Sequence, residues 1–167
     1  MLIYFDMDGT LADFEGGVRD ICGIAAADKD HPDEAQDAQM WEGIRKAGDF
    51  YYRLKPLPGA VELFQKVYEQ YGDDCRILTG IPSEGRGIVS AVADKKRWAQ
   101  EYLGPKVIVI ACPRKEKQFY ATDDDGSNVL IDDLRKSIRE WEADGGTGVL
   151  FTNAAETEKL LREKDIL

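Results

Sequence analysis

The stretch Leu2-Ile3-Tyr4-Phe5-Asp6-Met7-Asp8-Gly9-Thr10 decides how the chain is read. Four consecutive apolar residues without polar alternation describe a strand buried on both faces, the kind found in parallel sheets. Two acids follow at once, spaced by one residue, and Gly9-Thr10 lets the chain turn away. Across an extended segment Asp6 and Asp8 can both reach one side.

Similar runs recur downstream at Arg76-Ile77-Leu78, Val107-Ile108-Val109-Ile110, Asn128-Val129-Leu130-Ile131 and Gly148-Val149-Leu150-Phe151. Between them Val61, Phe64, Val67 and Tyr71 mark one helical face; Val89, Val92, Trp98 and Leu103 suggest a second, broken one. Ile138 and Trp141 sit on a third, Leu160 and Leu161 on a fourth. Continuous strands each followed by a helix predict an α/β fold, a Rossmann-like parallel sheet flanked by helices. From Glu15 to Lys55 the composition is helical and no strand is found, with Trp41 and Ile44 on one face. Pro56-Leu57-Pro58-Gly59 then restarts the core. This predicts a small helical cap, residues 15–55, inserted after the first strand of a core formed by residues 1–14 and 56–167. An ordinary crossover lengthened by one helix is the alternative.

With 167 residues, 43% of them apolar, the chain is long enough for one domain with a real core. A formal net charge of −10 works against binding polymeric nucleic acid, which needs a concentrated basic face. A small anionic substrate would need a local positive focus. No apolar run approaches the roughly 20 residues of a membrane helix, and Asp6 interrupts any signal-peptide core, so no membrane association is expected. Cys22, Cys75 and Cys112 lie far apart without metal-ligand spacing and read as reduced thiols, which suits a cytoplasmic location.

In open parallel sheets ligands bind beyond the carboxyl ends of the strands. The residues expected there are Asp6, Thr79, Asp132 and Asp133. Carboxylates gathered in a partly buried site disfavour each other's ionisation. A divalent cation relieves this, and Mg2+ is held by hard oxygens, commonly one or two carboxylates with a phosphate. A calcium loop of the EF-hand kind would need its glycine sixth and a glutamate twelfth, which the Asp6 stretch lacks. Asp123-Asp124-Asp125-Gly126 precedes a strand and reads as a solvated turn. His31, the only histidine, lies in a charged turn and receives no function.

Asp6-Met7-Asp8-Gly9-Thr10, Ile77-Leu78-Thr79-Gly80, a lysine before the fourth strand, and Leu130-Ile131-Asp132-Asp133 together resemble the haloacid-dehalogenase-like (HAD) phosphohydrolases. More narrowly, Ala12-Asp13-Phe14-Glu15-Gly16-Gly17, Leu57-Pro58-Gly59-Ala60-Val61-Glu62, and Lys95-Lys96-Arg97-Trp98 with Tyr102-Leu103-Gly104 are similar to the 5′(3′)-deoxyribonucleotidases. The resemblance implies that Asp6 is the nucleophile, forming an aspartyl-phosphate, and that Asp8 protonates the leaving alkoxide and later activates water. It implies Mg2+ on Asp6, the backbone carbonyl of Asp8, and Asp132, with Asp133 supporting it indirectly. Thr79 and Gly80 would bind phosphate oxygens together with a lysine: Lys117 first, Lys115 second, with Lys95 also facing the site. A nucleobase would pack against aromatics drawn from Phe14, Trp41, Phe50, Tyr51 and Tyr52.

The function expected is a magnesium-dependent phosphomonoesterase acting on (deoxy)nucleoside monophosphates. The alternatives are a phosphatase of the same superfamily with another small phosphate ester, such as a sugar phosphate, and a catalytically silent binding protein. An acid at the position of Asp8 favours attack on phosphorus over attack on carbon.

Overall fold

The computed structural model describes residues 1–167. Its centre is a five-stranded, wholly parallel sheet in the order β3-β2-β1-β6-β7, from β1 (Ile3–Phe5), β2 (Cys75–Ile81), β3 (Val109–Pro113), β6 (Val129–Asp132) and β7 (Thr147–Leu150). The connections carry α3 (Ala60–Tyr71), α4 (Ala91–Tyr102) and α5 (Arg135–Ala143), and α6 (Ala154–Glu163) follows β7. A small antiparallel pair, β4 (Thr122–Asp123) and β5 (Gly126–Ser127), precedes β6. The Asp123–Gly126 acids therefore form the turn of that ladder, and Asp123 accepts from Asn128 Nδ2 at 3.0 Å.

The uninterrupted apolar strands follow from burial on both faces. Ile3, Phe5, Ile77, Val129 and Ile131 join the larger core cluster. Their alternating neighbours Tyr4, Leu78 and Leu130 join a smaller one with Ile138 and Trp141. Successive side chains of a strand point to opposite faces, so a strand between two helical layers is apolar at every position.

Two expectations are corrected. The helical stretch drawn through Val89 and Val92 is an unbroken α4 beginning at Ala91; Val89 lies before it and is 98% exposed. The strand expected to end at Leu78 continues to Ile81, so Thr79 is a paired strand residue opposite Ala111.

Between β1 and α3 the chain forms α1 (Phe14–Gly17), a helical turn over Val18–Cys22, and α2 (Glu34–Ala47). Asp13 and Asp33 cap α1 and α2, accepting from Gly16 N at 2.9 Å and Gln36 N at 3.0 Å. The segment's two ends are tied together: Asp13 N donates to Lys55 O and Leu57 N to Leu11 O, each at 2.8 Å. Its apolar side, with Met40, Ile44, Phe50, Tyr51 and Leu54, is continuous with the larger core cluster.

The sheet order places neighbouring connections on opposite sides at the boundary between β1 and β6. That boundary is the topological switch point, where a crevice opens beyond the carboxyl ends of the strands.

Candidate active site

Asp6 leaves β1 at this crevice, its N–H bonded to Ile131 O at 2.8 Å. Asp132 ends the adjacent β6, and Asp133 follows it. Carboxylate oxygens of Asp6, Asp132 and Asp133 all lie within 4.8 Å of one another. Lys117, buried in the helical turn Arg114–Tyr120 after β3, donates to Asp6 Oδ1 at 2.6 Å and Asp132 Oδ2 at 2.8 Å. Burial opposes the Lys117 charge, but Asp6 and Asp132 outweigh it and hold the ammonium protonated above its ordinary range. Lys115 makes no bond to these acids, whereas Lys117 joins two of them.

A second lysine serves Asp8. Lys95 is completely buried on α4 and spends its three N–H donors on Asp8 Oδ2 (2.5 Å), Thr79 Oγ1 (3.0 Å) and Gly80 O (2.6 Å). Its ammonium stands 4.5 Å from the ring centroid of Tyr51. Lys95 was expected at the substrate pocket; instead it sits behind the cavity wall and orients Asp8 and Thr79. Burial raises the Asp8 pKa, with Lys95 opposing and Asp6 adding to the rise. The other Asp8 oxygen, Oδ1, is buried without any hydrogen-bond partner.

The acids line a cavity of about 880 Å³ whose walls also include Phe14, Trp41, Tyr51, Gly80 and Arg86. Of the aromatics expected to meet a substrate, Phe14, Trp41 and Tyr51 reach this cavity. Phe50 does not: it is buried, packed edge-on against Phe14 and Tyr51 at centroid distances of 5.6 and 5.3 Å. Thr79 is likewise fully buried.

The structure adds residues that the sequence reading passed over. Arg86, in the turn Glu84–Arg86 after β2, donates to Asp37 Oδ2 at 2.9 Å and lies 4.8 Å over the Trp41 ring. Asp37 Oδ1 accepts from Trp41 Nε1 at 3.0 Å, so one α2 carboxylate joins the indole and the guanidinium. Lys29 bonds to Asp133. Arg114, at the end of β3, also borders the cavity and pairs with Glu140 at 2.6 Å. Arg86 and Arg114 follow strand ends, so the rule that placed Thr79 could have found them. Lys29, in an irregular charged turn, carries no such signal.

The three-carboxylate cluster suits a hard divalent cation: every donor is oxygen, and two of the three groups are buried. Burial, then the Asp6 charge, push the Asp133 carboxyl up to about 7, and Asp132 is raised as well. Carboxylates crowded in this way are relieved by a bound cation. Asp133, expected to act only indirectly, offers an oxygen in the same cluster, whereas the Asp8 carboxylate lies with Lys95.

No profile of a known protein family matches the chain. Among curated proteins, "Putative 5′(3′)-deoxyribonucleotidase" of Bordetella pertussis is 34% identical over 151 residues, covering 80% of this chain and 74% of that protein. The mitochondrial 5′(3′)-deoxyribonucleotidase of Mus musculus is 28% identical over 151 residues, 78% of this chain, which spans 63% of the mouse protein's length. Among solved structures, a HAD family hydrolase from Deinococcus radiodurans R1, with bound phosphate and sodium, superposes with a TM-score of 0.50 at 14% identity, covering 99% of this chain and 96% of that one. That likeness shows the shared architecture, and no helix of the present chain is long and apolar enough to cross a membrane. With this degree of identity to the Bordetella protein over most of both chains, the chain belongs to the 5′(3′)-deoxyribonucleotidase family, and it has the fold of that HAD family hydrolase.

Proposed function

We propose that the chain is a magnesium-dependent phosphomonoesterase that hydrolyses (deoxy)nucleoside monophosphates to nucleoside and phosphate. The observation that carries this reading is the bridging of Asp6 and Asp132 by Lys117 at the switch point, beside a third carboxylate and a cavity large enough for a nucleotide.

Asp6 is the nucleophile. Lys117 holds one of its oxygens, which fixes the carboxylate and leaves the other to attack phosphorus and form an aspartyl-phosphate. Asp8 is the acid and then the base. Its raised pKa keeps a proton available, and its unpartnered Oδ1 is the atom that would deliver it to the leaving alkoxide. Gly80 lines the cavity and is placed to meet a phosphate oxygen, while Thr79, fully buried behind it, accepts from Lys95 and helps hold that lysine. Lys117 offsets charge on the phosphoryl oxygens. Asp6, Asp132 and Asp133 would hold Mg2+, and a bound ion would supply positive charge to orient the phosphate and screen it from the carboxylates.

The segment of residues 15–55 acts as the cap. It supplies Trp41 and, from its closing turn, Tyr51, with Phe14 at its entrance, as apolar surfaces for the leaving group. Localisation in the cytoplasm belongs to the same reading. A second reading, another small ester such as a sugar phosphate, is favoured by the polar cap wall of Asp28, Asp30, Gln36 and Asp37.

Phosphate release from a panel of deoxy- and ribonucleoside monophosphates and sugar phosphates, with Mg2+ or chelator, separates the two. Turnover of nucleotides only with Mg2+ is expected. Turnover of sugar phosphates alone would keep the core chemistry and reject the nucleotide assignment.

A further inference from the structure

One side chain of the cap segment reaches the carboxylate cluster directly. Lys29 donates to the backbone oxygen of Asp133 at 2.9 Å and also to its carboxylate Oδ2. The bend presenting it is held locally, because Asp28 Oδ1 accepts from Asp30 N at 2.8 Å and His31 N at 2.7 Å.

Asp133 is confined on its other side. A Cβ on Gly9 would lie 2.4 Å from Asp133 Oδ2, and Asp133 N donates to Thr10 Oγ1 at 3.2 Å. The carboxylate has little room to swing, yet it is also a member of the cluster with Asp6 and Asp132. A divalent ion in that cluster and the Lys29 ammonium therefore draw on the same group. Two cations held so close repel each other.

We propose that Lys29 is a tethered counter-ion of the metal site. Without an ion it pins the bend of residues 28–31 onto Asp133; ion loading displaces it and releases that bend, while Ala26 and Ala27 stay held by Gln36 and Met40. The ion then enters before the ester, because the latched bend forms part of the cavity wall through Asp28, Lys29 and Asp30. This rests on the metal-dependent reading above.

The test needs no turnover. Mg2+ binding is measured by calorimetry on the wild-type chain, Lys29→Met and Lys29→Arg, with hydrogen exchange of residues 28–31 recorded with and without Mg2+. Lys29 is 51% exposed, so both variants should fold. Lys29→Met is expected to bind Mg2+ about fivefold more tightly, as loss of a pair of about 1 kcal/mol allows. Lys29→Arg, which keeps the charge, should match wild type. Loop exchange should quicken on Mg2+ addition in wild type and be fast throughout in Lys29→Met. Unchanged or weaker binding by Lys29→Met, or loop exchange indifferent to Mg2+ in wild type, overturns the proposal while leaving the phosphatase reading standing. Failure of the wild-type chain to bind Mg2+ at all overturns both.

Discussion

Lys117 Nζ lies 2.6 Å from Asp6 Oδ1, joining residues 111 positions apart in a buried charge-assisted bond. The same ammonium holds Asp132, so Asp6 just after β1 and Asp132 at the end of β6 share one counter-charge from the turn after β3. Replacing Lys117 with Met leaves two buried carboxylates facing each other. The ion-free variant should lose about 3–5 kcal/mol of stability in urea denaturation, with Mg2+ restoring part of it. Turnover should fall by about 10²–10³-fold. Wild-type turnover in Lys117→Met would remove the lysine from the mechanism.

Asp8 predicts a leaving-group effect. If it protonates the alkoxide, Asp8→Asn should slow nucleotide hydrolysis by about 10²–10⁴-fold. Para-nitrophenyl phosphate, whose leaving group needs no proton, should be slowed much less in formation of the aspartyl-phosphate. Burst kinetics measure that step. Equal slowing on both substrates would mean that Asp8 positions the site rather than donating a proton.

The sheet was legible because its strands are buried on both faces and so read as unbroken apolar runs. The acids were legible because they stand where those runs stop. The extension of β2 past Thr79 was hidden: Thr79 and Gly80 look like the start of a loop, yet pairing with Ala111 and Cys112 keeps them in the sheet. Lys95, expected to face the site, does bond to Asp8 and Thr79, but its complete burial was not legible: a lysine on a helix is ordinarily solvated, and only the convergence of Asp8, Thr79 and Gly80 makes that burial tolerable. Phe50 illustrates the opposite limit: it and Tyr51 are both buried in the core cluster, and only Tyr51 also borders the cavity, a difference that sequence spacing does not carry. Lys29 and Arg86 act across the cavity between distant segments, and no local pattern reports such pairs.

Arg86 links the turn after β2 to Asp37 and Trp41 on α2 and lines the cavity without bonding to the carboxylate cluster. Arg86→Ala should therefore weaken substrate binding more than chemistry. Steady-state kinetics should show KM raised by about two- to fivefold with kcat little changed. A fall in kcat at constant KM would instead place Arg86 in the reacting centre.

The acids also predict how stability varies with pH. Asp133 is raised to about 7, and Asp8 and Asp132 are raised too, so the native state binds protons that the unfolded chain has released. Stability of the chelator-treated protein should thus be fully present below about pH 4 as far as these groups are concerned, and be lost as pH rises through about 7. Glu42, lowered to about 2 by Arg45 and Lys46, acts oppositely, but only as pH falls below about 4. Between pH 5 and 8 the melting temperature should decline in chelator, and excess Mg2+ should flatten the decline by favouring the ionised acids. A chelated protein whose melting temperature rises over that range would contradict the crowding of these carboxylates.

The central claim is that Asp6 attacks phosphorus. Its most direct test is an acid-quenched single turnover with a radiolabelled deoxynucleoside monophosphate and Mg2+, followed by peptide mapping. The account predicts label on the peptide containing Asp6 and none with Asp6→Asn, which should release no phosphate. Phosphate release by Asp6→Asn at the wild-type rate, with no labelled protein at any time point, would contradict it.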